Sequence, residues 1–366
     1  MGEVGVINKI EDQGGYLNMT FKIAMFDAKS YDRNSFEETN KDFGFEFEYF
    51  EPKLSEQTVS LAKGFDAVCI FVNDTVTFEV IDKLQENGIK LIALRCAGYN
   101  NIDFKAAYKK INVVRVPAYS PYAVAEFAVA MLLGLNRKLH RAHNRTREGN
   151  FSLNGLLGFD VHGKTAGIVG TGKIARCLIS ILKGFGVNIL AYDPYQDNEY
   201  AKTTGITYCS LDELFRNSDF ISLHCPLTDE SFHMINAESI DKMKPNCIII
   251  NTGRGKLIDS KALLEALVTQ KIAGACLDVY EEESNFFYED KSGEPLTDDV
   301  LARFVGLPNV LLTSHQAYFT QEALNNIANT TLNNIKAFTD GKPLENEICY
   351  KCNKTDCAKK TKGRCF

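Results

Sequence analysis

Arg254, Glu283 and His315 are the residues of this sequence best suited to proton and anion chemistry on a small carboxylic acid. Reducing a 2-keto acid requires a cation for the carboxylate, a proton donor for the carbonyl oxygen, and an anion that favours the donor's charged form. Arg254 lies in the run Asn251-Thr252-Gly253-Arg254-Gly255, and a planar guanidinium grips a carboxylate through two parallel N–H···O bonds. His315 follows the apolar run Val310 to Thr313, and imidazole exchanges its proton near neutral pH. Glu283 closes the run Asp278-Val279-Tyr280-Glu281-Glu282-Glu283; a carboxylate beside His315 would favour the imidazolium. Each residue also has a plainer reading: an exposed turn arginine, a core histidine with both nitrogens satisfied, a solvated acidic loop. Position favours chemistry, because Arg254 and His315 both fall at the carboxyl end of an expected parallel strand. Of the six histidines, only His224 shares that position beyond residue 172.

A second constellation suits a dinucleotide. Gly170-Thr171-Gly172-Lys173-Ile174-Ala175 follows an expected strand and opens an expected helix, the context that a G-x-G-x-x-A fingerprint requires. Gly170 permits the tight turn, Gly172 the close approach of a pyrophosphate, and Ala175 the packing of helix on strand. The helix N-terminus offers free N–H groups to the phosphates. The next strand ends at Asp193, placed to accept from ribose hydroxyls and to repel a 2′-phosphate. NAD is therefore expected rather than NADP.

The elements that position these residues alternate. Phe21–Phe26, Ala67–Val72, Leu91–Leu94 and Val113–Val116 read as strands of a first half, and Ala123–Leu139 as a long helix. Beyond Gly163 follow strands Thr165–Val169 and Val187–Tyr192 around the helix Lys173–Lys183, then Phe220–Leu223, Cys247–Asn251, Gly274–Leu277 and Val310–Thr313. Such alternation predicts an α/β fold with open parallel sheets covered on both faces. Because the fingerprint lies near mid-chain, a separate domain should precede it. Residues 1–18 read as a leader, with Met19 an alternative start.

Composition excludes several classes. With 366 residues, 45% hydrophobic and 24% charged, the chain suits two globular domains. A net charge of -6 argues against nucleic acid or an anionic membrane as the main partner. The longest apolar run, Phe127 to Leu135, is too short to span a bilayer. Eleven cysteines without a secretory signal pattern suggest free thiols in the cytoplasm. Four of them, Cys349, Cys352, Cys357 and Cys365, crowd the C-terminus among six Lys/Arg. Four thiols are the right number for zinc or an iron–sulfur cluster. The spacing matches no strong motif, however, and the basic tail reads as exposed, so no metal is assigned.

The chain resembles the D-specific 2-hydroxyacid dehydrogenases, and among them the bacterial fermentative D-lactate dehydrogenases. The likeness runs from about Phe21 to Ile348, through AVCIFVND (67–74), IALRCAGYNNID (92–103), VRVPAYS (114–120), ISLHCPLT (221–228) and the run Leu277–Glu283. It implies two Rossmann-like doubly wound parallel-sheet domains. The substrate domain would be discontinuous, 19–119 with 319–348, around an NAD-binding domain of 120–318, leaving 349–366 as a Cys-rich tail. It implies that Arg254 binds the carboxylate, that His315 is the acid-base residue and that Glu283 pairs with it. Lys173, Ile174, Asp193, Cys225, Pro226, Ser231, Thr252, Gly253 and Asp278 fall at cofactor-contacting positions, Ser231 where the family often has Asn. Ala97, Gly98 and Tyr119 fall at substrate-contacting positions. Gly253 departs from a common Ser. The expected activity is interconversion of pyruvate and D-lactate by a homo-oligomer, dimer or tetramer. A bulkier aromatic or branched-chain keto acid is the alternative substrate, and a non-catalytic NAD-sensing module the alternative class.

Overall fold

The structure, a computed structural model, describes residues 20–283, 286–352 and 357–366; the expected leader lies outside them. The chain divides into two compact units. One holds the chain up to Pro117 and again from Ile327, the other Ala118–Asn326.

The first unit carries a five-stranded parallel sheet: β1 (Lys22–Met25), β2 (Glu46–Tyr49), β3 (Ala67–Ile70), β4 (Leu91–Leu94) and β5 (Asn112–Arg115), in the order β2-β1-β3-β4-β5. β3 and β4 are buried along their whole length, which is why they are continuous apolar runs. β2 is an edge strand whose Glu-Phe-Glu-Tyr alternates exposed and half-buried. Its charges hide it from a search for apolar runs.

A fully buried arginine ties this sheet together. Arg95, just past β4, donates to the carbonyls of Phe26 and Asp27 at 3.0 and 2.7 Å and pairs with Asp32 at 3.3 Å. Nearby Asp74 accepts N–H bonds from Leu54 and Phe71 at 2.5 and 2.6 Å. Burial pushes its carboxyl up to about 7, against the charge of Arg95 and those two donors. The native pKa therefore lies above the ordinary 3.8, so the native state holds this proton more tightly than the unfolded chain. The stabilisation is fully present below 3.8 and is lost as pH rises through about 7. Asp74→Asn should flatten that part of the stability–pH curve. Urea unfolding of both proteins across this window checks it; a pH-independent difference between them would reject the assignment.

The second unit carries seven parallel strands: β6 (Thr165–Val169), β7 (Asn188–Tyr192), β8 (Thr207–Tyr208), β9 (Phe220–Leu223), β10 (Ile248–Asn251), β11 (Gly274–Leu277) and β12 (Val310–Leu312), in the order β12-β11-β10-β9-β6-β7-β8. Alternate residues feed two cores. Ile168, Phe220 and Ile250 pack under the helices Pro121–Asn136 and Lys173–Gly184, whereas Val169, Ile221 and Ile249 join Leu214, Leu263 and Leu267 on the other face. The strand sequence reverses direction between β6 and β9, which opens a crevice at their carboxyl ends.

Three expectations need correction. The long helix ends at Asn136 rather than Leu139, and Lys138 turns left-handed (φ 49°) before a second helix, Leu139–Arg147. β2 and the two-residue edge strand β8 were not foreseen. The C-terminal segment is not an exposed appendage, since Cys357 and Cys365 are buried. Among the described residues, no helix is long and apolar enough to cross a membrane.

Candidate active site

The glycine loop joins β6 to the helix Lys173–Gly184 as the fingerprint requires. Gly170 has φ +89°, and a Cβ there would lie 2.7 Å from the His224 carbonyl oxygen, so no other residue fits. Around Gly172 a Cβ would meet nothing within 4 Å. The helix begins without a side-chain cap, leaving its first N–H groups, those of Lys173 and Ile174 included, for an anion. Asp193 accepts from the Thr171 N–H and hydroxyl at 2.7 and 2.9 Å and from the Tyr195 N–H at 2.8 Å. Burial works against its charge, but these donors and Arg176 more than offset it and hold the carboxyl below its ordinary value. Thr252, at the end of β10, has a buried hydroxyl without a hydrogen-bond partner among the described residues. Open space at Gly172, free helix amides and an unpartnered hydroxyl on neighbouring strand ends fit a dinucleotide.

The loop after β9 orders itself. Ser231 Oγ donates to the Pro226 carbonyl and accepts from the Thr228 N–H, both at 2.8 Å. Cys225 places its thiol 3.7 Å from the Met234 sulfur, and burial pushes that thiol up to about 11, so it is no nucleophile at neutral pH. His224 turns its Nε2 to the Ser222 hydroxyl at 2.8 Å. Burial pushes its ring down to about 4, so it stays neutral at neutral pH. The two histidines that sequence position leaves level are thereby separated.

His315 Nδ1 lies 2.9 Å from Glu283 Oε1. The other carboxylate oxygen accepts the Tyr280 N–H at 3.0 Å, which aims the first at the ring. His315 itself has φ +55°, a strained conformation for a side chain of this kind. It is over-determined by Asp278, whose backbone carbonyl accepts the His315 N–H at 2.6 Å. The Asp278 carboxylate takes the Thr313 hydroxyl and the N–H groups of Gln316 and Ala317 at 2.6, 2.9 and 2.8 Å. Expected at a cofactor position, Asp278 commits most of its carboxylate to the turn that presents His315.

Arg254 is presented by Asn251, whose buried amide accepts the Gly253 N–H at 3.0 Å and donates to the Arg254 carbonyl at 2.9 Å. The guanidinium donates to the Gly253 carbonyl at 2.8 Å, and among the described residues it has no carboxylate partner. The next residue joins its turn to the Glu283 loop: a Cβ on Gly255 would lie 2.1 Å from the Tyr280 carbonyl carbon and oxygen. Gly255→Ala must therefore push the two loops apart. It should destabilise by roughly 1–3 kcal/mol and depress turnover, as thermal melts and steady-state assays will show. At Gly253 the nearest atom to a Cβ would be 3.5 Å away, so Gly253→Ser should melt like wild type.

Sequence reasoning missed Tyr288. Its hydroxyl donates to the His315 carbonyl at 3.1 Å, with the rings 5.9 Å apart. The expected Tyr119 stacks edge-on against Tyr318 at 6.0 Å. Ala97 and Gly98 belong to the first unit, where the Ala97 carbonyl accepts from Arg115 at 2.8 Å. Asn251 and Gly255 were also missed as positioning residues; only the tight spacing around Arg254 could have signalled them.

A seven-stranded Rossmann sheet with an anion-ready helix, an arginine without a carboxylate partner among the described residues and a carboxylate-paired histidine defines a nicotinamide-nucleotide oxidoreductase. Residues 129–317 match the family description "D-isomer specific 2-hydroxyacid dehydrogenase, NAD binding domain". The chain is 51% identical to a 2-hydroxyacid dehydrogenase homolog of Haemophilus influenzae and 50% identical to the D-lactate dehydrogenase of Escherichia coli. Each match covers 89% of this chain and 99% of the relative. The solved apo structure of the Escherichia coli enzyme superposes with a TM-score of 0.83 at 48% identity, over 90% of this chain and all of that one. The chain belongs to the family of D-isomer specific 2-hydroxyacid dehydrogenases, NAD-dependent oxidoreductases.

Proposed function

We propose that this chain interconverts pyruvate and D-lactate. The observation that carries the reading is the His315–Glu283 pair beside the Arg254 turn, in a chain half identical to a D-lactate dehydrogenase across that enzyme's length. Arg254 holds the substrate carboxylate by its fork. His315, with Nδ1 held by Glu283, directs Nε2 to the keto oxygen and donates its proton there; in the reverse direction it takes the hydroxyl proton. Glu283, 2.9 Å from Nδ1, fixes the ring's orientation and tautomer. Asp278, Asn251 and Gly255 keep the two loops in place. The glycine loop with Lys173 and Ile174 binds the pyrophosphate of NAD, Asp193 its ribose, and Thr252, Gly253 and the 225–231 loop the remainder. When bound, the nicotinamide supplies or accepts the hydride. Ala97 and Gly98 are assigned to substrate on the resemblance, and the first unit is read as the substrate domain. The Tyr288 ring stands 5.9 Å from that of His315, and Tyr119 is assigned to substrate on the resemblance.

A substrate panel tests this. NADH oxidation should be faster by at least about 10-fold in kcat/KM with pyruvate than with phenylpyruvate or 2-ketoisocaproate, and the product should be D-lactate. The reverse order assigns a bulkier acid; no turnover with any of them sinks catalysis altogether.

The same reading includes self-association in the cytoplasm. Phe151, Leu153 and Leu157 are 77%, 82% and 88% exposed, a row of apolar side chains that suits contact with a second copy. Light scattering that returns a monomer would count against it.

A further inference from the structure

We propose that Cys349, Cys352, Cys357 and Cys365 form a closed structural site for one zinc ion, which staples the C-terminus to the edge of the first unit. The four Sγ atoms all lie within 4.8 Å of one another. Cys352 Sγ is 3.8 Å from both Cys349 Sγ and Cys365 Sγ. Four thiolates at about 2.3 Å from a central zinc form a tetrahedron with edges of roughly 3.8 Å. Disulfide-bonded sulfurs would be about 2.05 Å apart, and all eleven cysteines are free. An iron–sulfur cluster places several irons and sulfides between its thiolates and spreads them much farther. The spacing therefore selects a single tetrahedral ion.

The surroundings suit thiolates. The Cys349 N–H points to Cys352 Sγ at 3.1 Å and the Lys351 N–H to Cys349 Sγ at 3.3 Å. Such donors stabilise sulfur-borne charge around a metal. Four thiolates and one divalent ion leave two negative charges. Lys351, Lys359, Lys360, Lys362 and Arg364 give the same segment charge of the opposite sign.

The site closes a loop on an anchored base. Buried Glu347 accepts from Asn112 Nδ2 at 2.6 Å and from the Cys365 N–H, and its backbone carbonyl takes Lys359 Nζ at 2.7 Å. Ile348 bonds to the carbonyl of Val113 in β5 at 2.9 Å, and Leu344 to that of Gly363 at 2.8 Å. Tyr108 packs edge-on against Tyr350 and Phe366 at 5.1 and 5.5 Å. Among the described residues of the segment, Cys357 and Cys365 are the buried side chains. Metal coordination is the kind of interaction that folds so short a polar segment. With four protein ligands no position is left for substrate, so the role is structural.

Untagged full-length protein, purified without chelator from zinc-supplemented cells, should contain about one zinc per chain by mass spectrometry of the metal. Cys357→Ser and Cys365→Ser should each lower that content by at least about 10-fold, while Cys209→Ser, outside the cluster, should retain it. Should the serine variants fail to fold, cobalt-reconstituted wild type decides, because a tetrahedral thiolate site gives intense sulfur-to-cobalt charge-transfer and ligand-field bands. Wild-type protein without zinc, iron in its place, a disulfide among the four by intact mass, or absence of those cobalt bands would each overturn the proposal.

Discussion

His315→Gln should lower kcat for keto-acid reduction by roughly 1,000-fold, within the range that positioned proton donors supply. Glutamine keeps an N–H near the place of Nε2 but has no proton to release. His315 sits at φ +55°, a region that histidine tolerates better than glutamine, so a thermal melt should accompany the rate and show that the Asp278 turn survives. NADH binding, followed by its fluorescence, should be unchanged. Glu283→Gln should act in the same direction by a smaller factor, because the Nδ1 contact at 2.9 Å then loses the carboxylate oxygen that holds the ring in place. A His315→Gln protein with a wild-type rate would remove His315 from the chemistry.

Arg254→Lys should cost about 100-fold or more in kcat/KM for the keto acid, equivalent to losing one charge-assisted hydrogen bond of about 3 kcal/mol. An ammonium keeps the charge but not the fork. It also cannot both reach a carboxylate and hold the Gly253 carbonyl, as the guanidinium can from its present contact at 2.8 Å. Since no described carboxylate competes for Arg254, the loss should appear in the substrate terms, with the KM for NADH unchanged. Wild-type kcat/KM in this variant would mean that another cation binds the acid.

The dinucleotide loop was legible because its requirements are local. Gly170 needs a positive φ, Gly172 needs open space, and Asp193 must end the following strand; strand, turn and helix are encoded within a few dozen residues. Sheet interiors were legible because strands buried on both faces are apolar runs, as β3 and β4 are. The charged edge strand β2 was not, because it pairs with only one neighbour and its Glu-Phe-Glu-Tyr tolerates charge. Arg254, Glu283 and His315 were suggested by residue type and strand-end position, but their pairing depends on loops far apart in the chain. The same limit left Tyr288 and Arg95 unseen, since each acts through a contact with a distant segment.

The C-terminal cysteines show that limit most clearly. Their number was visible, but their spacing resembles no strong motif. Whether four thiols can surround one ion depends on how the chain folds back between them, and Glu347, held by β5, decides that. The α/β alternation, the NAD loop and the candidates for acid, base and cation can be read from the residues, because these follow from periodicity, backbone freedom and side-chain chemistry. Tertiary structure alone decided that His315 rather than His224 meets a carboxylate, that Gly255 locks the Arg254 turn onto the Glu283 loop, and that four sulfurs converge. Distances between residues remote in sequence are set by packing, which no local pattern encodes.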